Sequence, residues 1–280
     1  MEDSILREFI LRSLAEDIGD GDHSSLACIS QEANGSAKLL IKEKGVLAGI
    51  RIAREIFYTA DKDLKLDILL EDGADVVPGD IAFYISGRQH SILKSERLTL
   101  NIMQRMSGIS TSTREYAAKL NGLKTKILDT RKTTPGFRFL EKEAVRIGGG
   151  INHRMGLYDM IMLKDNHIDY TGGIKKAILN TREYLRKNQL NLKVEVEARN
   201  IQDVREILST GFVDRIMLDN FSISDTLFAV KEIAGSCETE SSGGITLSTI
   251  RSYAECGIDF ISVGALTHHI KSLDMSLKAV

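Results

Sequence analysis

The chain has no long apolar run, little cysteine and almost no net charge, and each lack closes off a class of protein. No stretch approaches the roughly 20 apolar residues that a membrane-spanning helix needs, so no membrane partner is expected. Cysteine occurs only as Cys28, Cys237 and Cys256. Isolated and odd in number, these thiols fit neither a metal-ligand spacing nor a disulfide framework, which favours a reducing compartment. The formal net charge of −2 argues against nucleic acid as a general partner. The opening MEDSILREFILRSL is acidic and amphipathic and lacks the basic start and apolar run of a secretory signal. A soluble, cytoplasmic protein is expected. What is there is ordinary for a globular chain: 280 residues, 42% hydrophobic and 27% charged, enough for one large or two smaller α/β domains.

Ile5, Phe9, Ile10 and Leu14 fit one face of a short helix, which the segment EDIGDGDHSS (16–25) ends as a loop. That acidic loop lacks the later ligands of a calcium hand. From Gly35 to Gly87, glycine punctuates β segments in AKLLIKEKGVLAGI, LKLDILLEDGADVVPGD and IAFYISG, with a helix over Arg51–Ala60 between them. Leu93, Leu100, Met103 and Met106 mark a further helix, which Ser107-Gly108 is expected to interrupt before it resumes toward Leu120. Arg97 lies on that helix, where pattern alone reads it as a solvated surface residue. These elements predict a small α+β domain over 1–110, with 270–280 expected to rejoin it.

From Lys124 strands and helices alternate. TKILDT, DMIMLKD, LKVEVEA, DRIMLDN and DFISVGA are the strand candidates. Helical spacing marks Ile174 to Leu185, Ile201 to Leu208 behind the N-cap Asn200, Leu227 to Ile233 behind a serine-rich cap, and Leu247 to Ala254 before Gly257. Such alternation implies a parallel sheet. The missing glycine-rich dinucleotide fingerprint and the repeat count favour a β/α barrel over 111–269 rather than a doubly wound sheet.

A barrel carries its chemistry at the C-terminal ends of its strands. Here those ends are Asp129-Thr130-Arg131-Lys132, Lys164-Asp165-Asn166-His167, Glu195 with Glu197, Asp219-Asn220, Ser241-Ser242-Gly243-Gly244 and Gly264-Ala265. Any one is an ordinary loop polar group; together they describe a cavity for an anionic, phosphate-bearing substrate. Glycine turns and helix N-termini offer main-chain amides to phosphate oxygens. Arg131 and Arg154 can clamp carboxylates bidentately, with His153 beside them as a further donor or a structural turn residue, while Lys132 and Lys164 act as compact charges. Glu197 and Asp219 are placed to hold magnesium or to face a developing cation.

The motifs EDIGDGD (16–22), SERLTLNIMQRMSGIST (95–111), LDTRKTTPGFRFLEKEAVRIGGGINHRMGLYDMIMLKDNHI (128–168), VEVEARN (194–200), IMLDN (216–220), SSGGI (241–245) and VGALTHH (263–269) resemble the quinolinate phosphoribosyltransferase family end to end. The resemblance implies an N-terminal α+β sandwich domain followed by a β/α barrel with fewer than eight strands. It implies a homodimer in which one subunit's small domain closes the other's barrel. The implied reaction joins quinolinate to phosphoribosyl pyrophosphate with Mg2+, giving nicotinate mononucleotide, pyrophosphate and CO2 in de novo NAD biosynthesis. Quinolinate's carboxylates would meet Arg131, His153, Arg154 and Arg97, the last donated across the dimer, which reverses the surface reading of Arg97. Lys132 and Lys164 would hold the phosphoribosyl donor. Glu197 and Asp219 would serve ribose and magnesium, and Ser242-Gly243-Gly244 and Gly264-Ala265 the phosphates. Departures are few: Ser24, Ser241 and His269 replace commoner residues, and the VEVE-to-LDN interval is one residue longer. The alternatives are a paralogous phosphoribosyltransferase of nicotinate or molybdate-operon type, and a non-catalytic β/α protein that binds phosphorylated ligands. Gly148–Gly150 is read as shaping the loop that delivers His153 and Arg154.

Overall fold

The computed structural model describes residues 2–280, and the chain divides into two units, Met1–Ser112 with Ile270–Val280, and Thr113–His269. The first begins with helix α1 (Glu2–Ile18). Its buried stripe is Leu6, Ile10 and Leu14 at i, i+4 and i+8, while the expected face residue Ile5 is exposed. The following segment is not all loop: α2 (His23–Cys28) starts there because the Asp22 carboxylate accepts the Ser25 N–H at 3.1 Å and caps it. Then come β1 (Asn34–Ile41), β2 (Gly45–Val46), α3 (Ile50–Ala60), β3 (Lys65–Ile68), β4 (Asp75–Val76), β5 (Ile81–Arg88) and α4 (Gln89–Lys119).

Helix α4 runs unbroken through Ser107-Gly108, against the expected interruption. Packing accounts for both residues. The buried Ser107 hydroxyl accepts the Ala48 N–H at 2.9 Å, and a Cβ at position 108 would strike the main-chain oxygen of Lys271. Gly108 is therefore a close-approach residue, not a helix stop.

In the second unit the order is β6 (Lys126–Leu128), α5 (Arg138–Ile147), β7 (Ile161–Leu163), α6 (Asp165–Thr171), α7 (Ile174–Asn188), β8 (Val194–Ala198), α8 (Ile201–Thr210), β9 (Arg215–Asp219), α9 (Ile223–Ile233), β10 (Glu238–Ser242), α10 (Ile250–Glu255), β11 (Phe260–Ser262) and α11 (Ala265–His268). The chain then returns to the first unit as β12 (Met275–Ala279). There the antiparallel order is β12-β1-β5-β3, with a bulge at Leu39/Leu40 and a core that includes Leu39, Ile41, Phe57, Phe83 and Ile85.

The six strands of the second unit are parallel, in the order β6-β11-β10-β9-β8-β7. A lone parallel bridge from Leu128 to Ile151 adds a further position beside β6, still fewer than eight. All five residues of β8 are buried, as a strand covered on both faces requires. The caps at Asn200 and Ser222 form as the sequence predicts, each side chain accepting the N–H three residues on. Strand β10 escapes the pattern because its sequence, ETESS, has no apolar residue. It nevertheless buries Thr239, Glu240 and Ser241. Parallel pairing brings every strand's C-terminal end to one side of the sheet. Among the described residues no helix is long and apolar enough to cross a membrane.

Candidate active site

At that side lies a cavity of about 830 Å³, within the size range of small-molecule sites. Its lining includes Arg131, Lys132, His153, Arg154, Lys164, Glu197, Asp219, Ser242, Gly243, Gly244, Gly264 and Ala265. Every site residue predicted from sequence is there except Arg97. Arg97 stands exposed on α4 in the first unit, without a hydrogen-bond or ion-pair partner among the described residues. Thr130, Asn220, Glu240, Ser262, Thr246 and His268 also line the cavity and were not predicted as site residues. Thr130, Asn220, Ser262 and His268 sit within runs already singled out; Glu240 and Thr246 carry no signal in the sequence.

The cations are held in different ways. Arg154 is 8% exposed and donates to the Met160 carbonyl at 3.0 Å. Burial, reinforced by the neighbouring Arg131 charge, holds its guanidinium below the ordinary value. Arg131 is half-buried, and its Nε has no hydrogen-bond partner. Neither has a carboxylate within ion-pair distance among the described residues. Two crowded guanidiniums with unused donors are prepared for an anion. Lys132 is exposed, but its main chain is fixed: its N–H donates to Thr130 Oγ1 at 3.0 Å and its carbonyl accepts from Thr267 Oγ1 at 2.8 Å. Lys164 Nζ lies 3.5 Å from Glu197 Oε2.

Glu197 ends β8 and Asp219 ends β9. Burial pushes the Glu197 carboxyl up; Lys164 opposes this, and Asp219 and Asp165 add to it. Glu197 Oε2 is a buried acceptor without a hydrogen bond. A carboxyl pushed up by burial, with the Asp219 carboxylate adding to the effect and an oxygen that makes no hydrogen bond among the described residues, fits a divalent cation. Asn220 Nδ2 donates to Asp219 Oδ2 at 2.7 Å, orienting it. Asn220 itself takes φ +56, a left-handed conformation that asparagine tolerates. Its side chain sits where a Cβ on Gly243 would be, and Gly243 has φ +94. Glycine is thus required there twice over, and the Gly243-Gly244 turn lines the cavity.

Beneath the cavity lies a buried cluster in which His153 and Glu195, both singled out in the sequence, meet Glu240 and Arg215, which were not. His153 Nε2 is 3.0 Å from Glu195 Oε2 and 3.4 Å from Glu240 Oε2, and Arg215 Nη1 donates to Glu240 Oε2 at 3.0 Å. Burial and the Glu240 charge push the Glu195 carboxyl up to about 7. His153, Glu195 and Glu240 have metal-ligand spacing. The ring tautomer favours protons instead. His153 Nδ1 accepts the Arg154 N–H at 2.7 Å, so the ring proton belongs on Nε2, facing the carboxylates. Although burial opposes it, the hydrogen bonds and charges of Glu195 and Glu240 push the His153 imidazole up to about 9. Gly148–Gly150 lies outside the cavity lining. A Cβ on Gly150 would crowd Val145 and Thr113, consistent with a shaping role.

Models of the N-terminal and C-terminal domains of quinolinate phosphoribosyl transferase match residues 22–107 and 109–278. A quinolinate phosphoribosyltransferase [decarboxylating] of Nicotiana tabacum is 43% identical, over 98% of this chain and 82% of its own. A probable nicotinate-nucleotide pyrophosphorylase [carboxylating] of Bacillus subtilis is 40% identical, over 97% and 92%. The solved nicotinate-nucleotide pyrophosphorylase of Francisella tularensis superposes with a TM-score of 0.92 at 39% identity, covering 99% of this chain and 96% of that one.

Proposed function

The chain belongs to the quinolinate phosphoribosyltransferase family, and from that premise we propose that it makes nicotinate mononucleotide, pyrophosphate and CO2 from quinolinate and phosphoribosyl pyrophosphate, as a carboxylating nicotinate-nucleotide diphosphorylase in de novo NAD biosynthesis. One observation carries the reading: Arg131 and Arg154, crowded and without carboxylate partners, share a cavity with the acid pair Glu197 and Asp219. A dicarboxylate answers the first pair, and a reaction that develops positive charge answers the second. A pure anion binder would gain nothing from those acids.

The ring nitrogen of quinolinate attacks the ribose carbon as pyrophosphate leaves. The transition state is oxocarbenium-like, as in glycoside transfer. Glu197 and Asp219 face that positive charge, and Lys132 and Lys164 attract the departing pyrophosphate. Magnesium, held by Glu197 and Asp219, would neutralise the donor's phosphates. The Ser242-Gly243-Gly244 and Gly264-Ala265 turns present amides to phosphate oxygens. Once ribosylated, the ring nitrogen is positive and draws in the electron pair left as the adjacent carboxylate departs as CO2. A proton from solvent or site then completes the ring carbon. His153 sits at the cavity floor with both ring nitrogens engaged, so it meets a substrate carboxylate only by giving up an inward contact. The enzyme works as a homodimer in the cytoplasm, with Arg97 supplied by the partner subunit.

The direct test incubates purified protein with quinolinate, phosphoribosyl pyrophosphate and magnesium, and measures nicotinate mononucleotide and CO2. Nicotinate is the control substrate. Turnover of nicotinate in place of quinolinate would move the protein to the mono-carboxylate branch.

A further inference from the structure

Two fully buried charges beside the site take no part in the chemistry above. Lys142 on α5 and Asp129 after β6 are both 0% exposed and form an ion pair. Such a pair is weak evidence for stability, because desolvation offsets most of the Coulomb gain. Its other contacts converge on one residue. Lys142 Nζ also donates to the main-chain carbonyl of His153 at 2.9 Å, and Asp129 Oδ1 accepts the His153 N–H at 2.9 Å. The Asn152 amide, oriented to donate, reaches Asp129 Oδ2 and the Lys142 carbonyl, each at 2.8 Å. The pair therefore grips the peptide groups on both sides of His153, and the next residue is Arg154.

We propose that Asp129 and Lys142 are positioning residues for quinolinate: their bracket on the His153 main chain sets where the Arg154 guanidinium stands in the cavity. The inference rests on the proposed reaction. The bracket is local to the carboxylate side. Lys164, Glu197, Asp219 and the glycine turns come from other strands and have no contact with the pair among those described; Lys132, which follows Asp129 on the same segment, has its main chain fixed separately by Thr130 and Thr267. Loosening it should thus weaken quinolinate use and spare the phosphoribosyl donor. A residue holding the fold alone would affect both substrates alike.

A single substitution leaves one buried charge unpaired and is the variant most prone to misfold. Two neutral double variants avoid this. Asp129→Asn with Lys142→Gln keeps a donor for the His153 carbonyl; Asp129→Asn with Lys142→Met removes it in a similar volume. Thermal unfolding and steady-state kinetics for both substrates are measured beside the wild type. The methionine double variant should raise the quinolinate KM about tenfold, with the KM for phosphoribosyl pyrophosphate within about twofold of wild type, as loss of one hydrogen bond predicts. The glutamine double variant should recover most of the quinolinate KM. Equal quinolinate KM in the two doubles, or equal losses for both substrates, overturns the proposal. Failure of either double to fold also overturns it, since it would give the pair a global role. Wild-type protein that makes no nicotinate mononucleotide from quinolinate sinks the reaction itself, a result distinct from all of these.

Discussion

Arg131 and Arg154 tie substrate identity to two side chains, so their removal has a directional consequence. A charge-assisted contact to a carboxylate contributes about 1.5–3 kcal/mol, roughly one to two powers of ten in binding. Arg131→Ala and Arg154→Ala should each raise the quinolinate KM by that factor and leave use of phosphoribosyl pyrophosphate nearly intact. Wild-type constants for quinolinate in both variants would remove the assignment. Asp61, in the other unit, carries an equally local prediction for stability. Arg88 donates to its two oxygens at 2.7 Å each, Ser91 donates at 2.7 Å and the Asp63 N–H at 3.0 Å. The Arg88 hydrogen bonds chiefly, then those of Ser91 and Asp63, hold the Asp61 carboxyl well below the usual carboxylate range despite burial. A folded pKa below the unfolded one means the stabilisation is complete above the unfolded value, about 4, and fades as pH falls through it toward the folded value. Urea midpoints from pH 6 down to pH 2 should therefore fall less steeply in Asp61→Asn than in wild type. Identical slopes would show that Asp61 does not contribute to the acid limb.

Elements were legible where apolar pattern and function did not compete. β7, β9 and β11 each carry an apolar run that leads into a polar residue now found at the cavity, Lys164, Asp219 and Ser262, and β8 carries Glu197 there between apolar neighbours. β10 was hidden because the barrel interior there holds Glu240 against His153 and Arg215, and no period-two or apolar signal survives such a cluster. For the same reason the site's rim could be read, and the charged layer beneath it could not. Two buried glutamates look like any surface acids in a sequence, and Lys142 looks like a solvated lysine of EKEA. The misread break in α4 has the same origin. Glycine inside a helix is a stop signal by local rules, and only the approach of the Lys271 main chain explains its presence. That reading reverses the usual sign of a substitution. In an exposed helix Gly→Ala gains about 1 kcal/mol. Gly108→Ala should instead destabilise by about 1–3 kcal/mol, because the methyl group must displace backbone. Chemical unfolding measures it, and a variant as stable as wild type or better would contradict the close approach.

On the scale of the whole molecule, the cavity gathers every predicted site residue but one, and all of them come from Thr113–His269. Arg97 belongs to the first unit, exposed and without a partner among the described residues. Sequence pattern alone could not choose between an idle surface arginine and a shared one, because what would distinguish them is a second subunit. In a two-fold symmetric dimer whose sites each take Arg97 from the partner, each site needs the barrel of one chain and the arginine of the other. Arg97→Ala and Arg131→Ala homodimers are then both impaired, through different halves of the site. Co-expression of the two chains gives heterodimers in which one site combines an intact barrel with an intact Arg97, while the other site carries both lesions. Random pairing makes half the dimers heterodimers, so about a quarter of all sites, and about a quarter of wild-type activity, should return. If Arg97 instead served its own barrel, both sites of every heterodimer would carry one lesion, and activity would stay at the homodimer level. Separating the two chains by distinct tags and assaying the doubly tagged fraction sharpens the contrast: half of wild-type activity per dimer under sharing, none above the parental variants without it.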